Sequence, residues 1–140
     1  MIVIHIIPTL HNGGAENVLA RLVREFNNLG ILQIVITIQG STNDFNYERI
    51  VSCCEVVHFK EQPKHVKTIF QQHPDATVLA WMYKAIYFSH KWKRIFNTEQ
   101  QIIWNIRHSN FGLCQWYQKS MIHLFGLATH ILKPKIIYCS

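Results

Sequence analysis

The sequence predicts an α/β fold built on an open parallel sheet with helices on both faces, and three observations carry that prediction. The stretch Ile2-Val3-Ile4-His5-Ile6-Ile7 is an almost unbroken apolar, β-branched run, the composition of a strand buried on both faces. Thr9-Leu10-His11-Asn12-Gly13-Gly14 then turns the chain, and from Ala15 apolar residues recur at helical spacing through Val18, Leu19, Leu22, Val23, Phe26 and Leu29. Beyond that unit strand-like and helix-like segments alternate, the order a doubly wound parallel sheet requires.

Local chemistry justifies each element in turn. Pro8 closes the first strand, and Gly30 is placed to cap the first helix. Residues 31–39 read as the second strand, Gly40-Ser41-Thr42-Asn43-Asp44 as a polar loop at its carboxyl end, and Tyr47 to Val51 as a short helix. A third strand covers residues 54–59. Pro63 opens a helix through about Gln72, which ends at His73-Pro74 because proline biases its predecessor out of helical geometry. Thr77 to Trp81 is the fourth strand, with Met82-Tyr83-Lys84 at its tip and a helix running on to about Phe96. Gln101 to Ile106 is the fifth, with Arg107-His108-Ser109-Asn110 at its tip; a helix over about 114–128 and a sixth strand over 135–139 complete the chain. Right-handed crossovers make these six strands one Rossmann-like sheet.

At 140 residues the chain is one domain, with 49% hydrophobic and only 16% charged residues, a balance compatible with an exposed interaction face. A formal charge of +6 favours anionic partners, whether nucleic acid, acidic lipid headgroups or phosphorylated sugars, and does not choose among them. Cys53, Cys54, Cys114 and Cys139 form no C-x-x-C pair and read as small core residues of a reducing compartment. No Lys or Arg precedes the first apolar run, that run is shorter than a signal core, and no stretch approaches 18 consecutive apolar residues. The expected location is therefore cytoplasmic.

The first backbone N–H groups of a helix have no internal partners, and the helix dipole adds positive charge there, so Gly13 and Gly14 can bring a phosphate or sugar hydroxyl close to bare backbone. Alternatively the two glycines only make a tight turn. The loop is neither G-x-G-x-x-G nor G-x-x-x-x-G-K-[ST], and the second strand ends Thr37-Ile38-Gln39-Gly40 without a carboxylate, which argues against a nicotinamide enzyme and a P-loop NTPase. Nine histidines show neither H-E-x-x-H nor any Cys/His ligand spacing, so no metal is expected. No G-x-S-x-G elbow and no nucleic-acid-binding signature occurs.

Ile4-His5-Ile6-Ile7-Pro8-Thr9-Leu10 followed by Gly13-Gly14-Ala15-Glu16, then Ala80-Trp81-Met82-Tyr83 and Ile103-Trp104-Asn105-Ile106-Arg107-His108-Ser109, resembles the N-terminal half of the family 4 glycosyltransferases, retaining enzymes of the GT-B fold. The resemblance implies an acceptor-side domain spanning residues 1–140 of a longer enzyme, whose C-terminal nucleotide-sugar domain, with its E-x7-E glutamates, is absent. It implies transfer of a sugar from a nucleotide diphosphate sugar to a glycan or lipid-linked acceptor in surface polysaccharide synthesis, without a metal cofactor. The chain alone is then expected to be inactive and to need that missing half or a partner subunit.

Open α/β sheets bind ligands at the carboxyl ends of their strands, so four tips define the candidate site. Arg107 suits phosphate oxygens and His108 suits hydroxyls; the resemblance puts His108 beside the donor sugar. The other reading pairs Arg107 with a surface carboxylate and makes His108 a cap. Ser109 follows them. Trp81 and Tyr83 read either as a sugar-facing surface or, for Trp81 and its neighbour Met82, as core. Lys84 stands where many relatives have histidine, replacing a neutral donor and acceptor with a fixed cation that can meet a phosphate. Glu16 can bond an acceptor hydroxyl or simply complement the helix dipole. Lys91-Trp92-Lys93-Arg94-Ile95-Phe96 and residues 116–125 mix cations with bulky apolar groups, as interfacial helices do, which adds an expected peripheral position on the inner face of an anionic membrane. The runner-up function is a stand-alone binding or scaffold module docking on such a membrane or on a partner chain.

Overall fold

The computed structural model describes residues 2–106, 123–124, 127–129 and 133–138. Six strands form one all-parallel sheet: β1 (Ile2–Ile7), β2 (Leu32–Thr37), β3 (Glu55–His58), β4 (Thr77–Trp81), β5 (Gln101–Ile106) and β6 (Lys135–Tyr138), in the spatial order β3-β2-β1-β4-β5-β6. Four helices are described between them: α1 (Gly14–Asn28), α2 (Tyr47–Val51), α3 (Pro63–Gln72) and α4 (Met82–Phe96). The fold is the expected Rossmann-like α/β sheet. Among the described residues no helix is long and apolar enough to cross a membrane.

Strand alternation divides the core in two. Ile4, Ile6, Ile34, Ile36, Val78 and Ala80 face α3 and α4, where they meet Val66, Phe70, Ile86 and Trp92. Ile7, Val35 and Trp81 face α1 and α2, against Leu19, Val23 and Ile50. Both faces of β1 are thus covered, the condition its continuous apolar composition anticipates.

Helix α1 ends as its sequence requires. Gly30 takes φ +70°, a left-handed conformation that costs glycine little, and sends its N–H to Asn27 while Ile31 sends its own to Phe26. That paired ending recruits Ile31 into the helix cap, so β2 starts at Leu32 and not at residue 31. Ile38 and Gln39, beyond the last strand residue, still donate to the carbonyls of Ile7 and Pro8 at 3.0 and 2.8 Å. Cys53 and Cys54 are free thiols, half-buried against the α1 side; burial, with smaller contributions from Cys53 and Glu55, pushes Cys54 up to about 12.

Candidate functional site

The direction in which successive strands are added reverses between β1 and β4, so the crevice outside their carboxyl ends is where this architecture receives ligands. Its first wall is the turn between β1 and α1, and long-range hydrogen bonds hold that turn in place. Leu10 donates its backbone N–H to Asp44 Oδ2 at 2.8 Å, and Ser41 Oγ donates to the other carboxylate oxygen at 3.1 Å. Asn46, fully buried, donates its backbone N–H to Leu10 O at 2.9 Å and its side-chain amide to His11 O at 2.8 Å. Arg49 in turn donates to Asn46 Oδ1 at 2.6 Å. The loop after β2 therefore templates the glycine turn, a function that Asp44 and Asn46 do not advertise in the sequence.

Gly13 is the extended residue preceding α1, and Gly14 is its first helical residue. The Glu16 carboxylate folds back over this turn: a Cβ on Gly13 would lie 2.3 Å from Glu16 Oε2. An internal acid thus sits three residues into α1, where it complements the dipole in the manner of the N3 residue of a capping box. Gly14 is exposed, and a Cβ there would meet nothing within 4 Å, so its face of the turn is open.

The second wall is the junction of β4 and α4. Trp81 is the last residue of the strand and Met82 the first of the helix, with no loop between them. Met82 adopts φ +68°, a left-handed conformation that costs a β-carbon-bearing residue about 1–3 kcal/mol and is enriched at functional sites. Lys84, half-buried one turn along, donates through Nζ to Gln39 Oε1 at the end of β2. In the sheet order β1 lies between those two strands, so the contact crosses the β1 tip and joins two of the four candidate tips, those of β2 and β4.

Comparison with family models, with curated proteins and with solved structures finds no match. What the site can do therefore rests on its residues.

Trp81 is core rather than rim. It is 1% exposed, on the α1 side of the sheet, because alternation from Ala80 turns it inward. Its Nε1–H donates to His5 Nδ1 at 3.4 Å, His5 Nε2 meets Gln33 Oε1 at 3.2 Å, and Gln33 Nε2 donates to Val23 O at 2.9 Å. The roles close in one way: His5 is neutral, accepts at Nδ1 and donates from Nε2. Burial, opposed weakly by the Gln33 bond, holds its pKa at about 4. In the sequence His5 is one more residue of an apolar strand, whereas in the fold it links the β4 end, β1, β2 and α1 through buried hydrogen bonds.

Tyr83 is half-buried beside Lys84. Arg107, His108 and Ser109 follow Ile106 directly and lie outside the described residues, as does residue range 116–122 of the second proposed interfacial helix. In α4, Trp92 is 2% exposed and Phe96 packs on the core, so the bulky groups read as membrane-facing are partly structural, while Lys91, Arg94 and Ile95 are exposed.

A further polar pair sits at the tips of β2 and β3. Thr37 Oγ1 and His58 Nδ1 share a hydrogen bond of 2.7 Å, both side chains being buried. Gly40 is required beside them, since a Cβ there would lie 2.6 Å from Thr37 Oγ1. The crevice thus offers a helix start open on the Gly14 face, with the Glu16 carboxylate over Gly13, and a pre-positioned ammonium at Lys84. Such a surface suits a ligand bearing phosphate and hydroxyl groups.

Proposed function

We propose that this chain is the acceptor-side domain of a retaining, nucleotide-sugar-dependent glycosyltransferase of the family 4 type, acting on a glycan or lipid-linked acceptor. The observation that carries the reading is the Lys84–Gln39 contact spanning the β1 tip beside the open Gly14 turn. In this reading the donor diphosphate lies between the domain and a C-terminal partner. Backbone N–H groups of the glycine turn, Lys84 and Arg107 stabilise the charge that develops on the departing diphosphate, and His108 positions the transferred sugar. Asp44 and Asn46 are positioning residues that hold the turn. No E-x7-E pair occurs in the chain, so transfer requires a second half.

The experiment is amide NMR of the purified chain titrated with uridine and guanosine diphosphate sugars. Saturable shifts centred on Gly13, Gly14, Gln39 and Lys84 are expected, without turnover. Gly14→Ala keeps the melting temperature, because its new methyl meets no atom within 4 Å, yet weakens the shifts several-fold by obstructing the turn. Shifts absent from those residues at millimolar ligand, or sugar transfer by the chain alone, overturn the proposal.

A further inference from the structure

Away from the rim, two hollows meet along the outer flank of α4. One, of roughly 560 Å³, is mostly apolar, walled by Tyr87, Ile95, Trp104 and Leu124, with His90, Lys91 and Arg94 at its border. The other, of roughly 770 Å³, lies at the amino ends of β5 and β6, the sheet edge opposite the glycine turn. Lys93, Thr98, Gln100, Lys133 and Lys135 line it, again with His90 and Arg94. Because those two side chains border both, the hollows adjoin along α4 as the apolar and polar ends of one groove-like flank, each in the size range of small-molecule sites.

The polar end is cationic beyond what the fold requires. Lys93 and Arg94 complement the carboxyl end of α4, and Lys93 donates to Gln100 O at 3.0 Å. Lys133 and Lys135 belong to a separate segment, and the helix end does not account for them. Among the described residues Arg94, Lys133 and Lys135 have no ion-pair partner, and the only carboxylate lining this end, Glu99, sits 3.9 Å from Lys93.

Two side-chain oxygens at the same end are buried and unpartnered among the described residues. Gln100 is fully buried; its Nε2 donates to the carbonyls of Phe70 and of His73, the latter at 2.9 Å, while Oε1 has no partner among the described residues. Thr98 Oγ1 is likewise unpartnered. Both oxygens are closed off from the groove, so the chemistry of a ligand there follows from the unpaired cations, which call for an anion. Between the two ends, His90 Nε2 accepts the Trp104 indole N–H at 2.9 Å, which leaves its proton on Nδ1 as a donor.

We propose that the groove binds a single-chain amphiphile with an anionic head: the chain against Tyr87, Ile95 and Leu124, and the acid at Arg94, Lys133 and Lys135. The glycosyltransferase reading is not needed for this site, and the two use different residues.

The test is calorimetry with octanoyl and decanoyl lysophosphatidylglycerol below their micelle concentrations, with glycerol phosphate as the head alone and phosphatidylglycerol vesicles as the alternative source. Saturable one-to-one binding of the monomers is expected, tightening about tenfold for the two added methylenes. Arg94→Gln and Ile95→Ser, both on exposed positions of α4, weaken it about tenfold and several-fold with unchanged circular dichroism. Affinity independent of chain length, indifference to Arg94→Gln, or binding to vesicles without binding to monomers overturns the proposal.

Discussion

Acidification tests the buried chain through His5 most directly. The imidazole is fully enclosed, accepts the Trp81 indole N–H and donates to Gln33, so an added proton at Nδ1 would set donor against donor and strand a charge in the core. Its pKa falls from 6.5 to about 4 on folding. At 1.36 kcal/mol per unit this comes to about 3 kcal/mol, a large share of the 5–15 kcal/mol typical of a domain. The sign follows from proton binding: between these two values the unfolded chain takes up the proton and the folded one does not. Stability is therefore complete above pH 6.5, declines as pH falls toward 4, and has no further His5 contribution below that. His90, its pKa lowered by burial and by Lys93, adds a slope of the same sign. Urea denaturation at half-unit pH steps measures the decline, and the imidazole C–H resonances report the titration of His5 itself. His5→Asn keeps one donor and one acceptor and loses the His5 share of the slope. A His5 resonance titrating near pH 6.5 in the folded protein, or an equal slope in that variant, refutes the reasoning.

Two substitutions probe how the rim is held. Asp44→Ala removes the acceptor of the Leu10 N–H and Ser41 hydroxyl bonds; it costs about 1–3 kcal/mol in denaturant melts and accelerates amide exchange at Leu10 first. Gly40→Ala drives a methyl to 2.6 Å from Thr37 Oγ1, well inside contact distance, and destabilises the fold by about 1–3 kcal/mol, which thermal unfolding reads directly.

The sheet was legible because its strands are buried on both faces and its breaks fall at proline and glycine. Pro63 starts α3 and Gly30 ends α1, as local rules demand. Within the elements the limits of such rules are visible. The aromatic at position 81 gives no sign of which sheet face it takes, and strand alternation settles that by turning it inward. Nothing local couples Asp44 to Leu10 or Lys84 to Gln39, since these pairs are 34 and 45 residues apart and form only when the sheet assembles. The absence of a loop before α4 likewise depends on Met82 taking a backbone conformation that methionine seldom adopts.

That abrupt junction gears the crevice to the hydrophobic interior. With no slack between β4 and α4, one inserted residue would rotate everything after it by about 100° around the helix axis. Ile86 and Trp92 would swing off the sheet while Lys84 swung off Gln39, so a length change at this hinge cannot retune ligand contacts without also dismantling the packing beneath them.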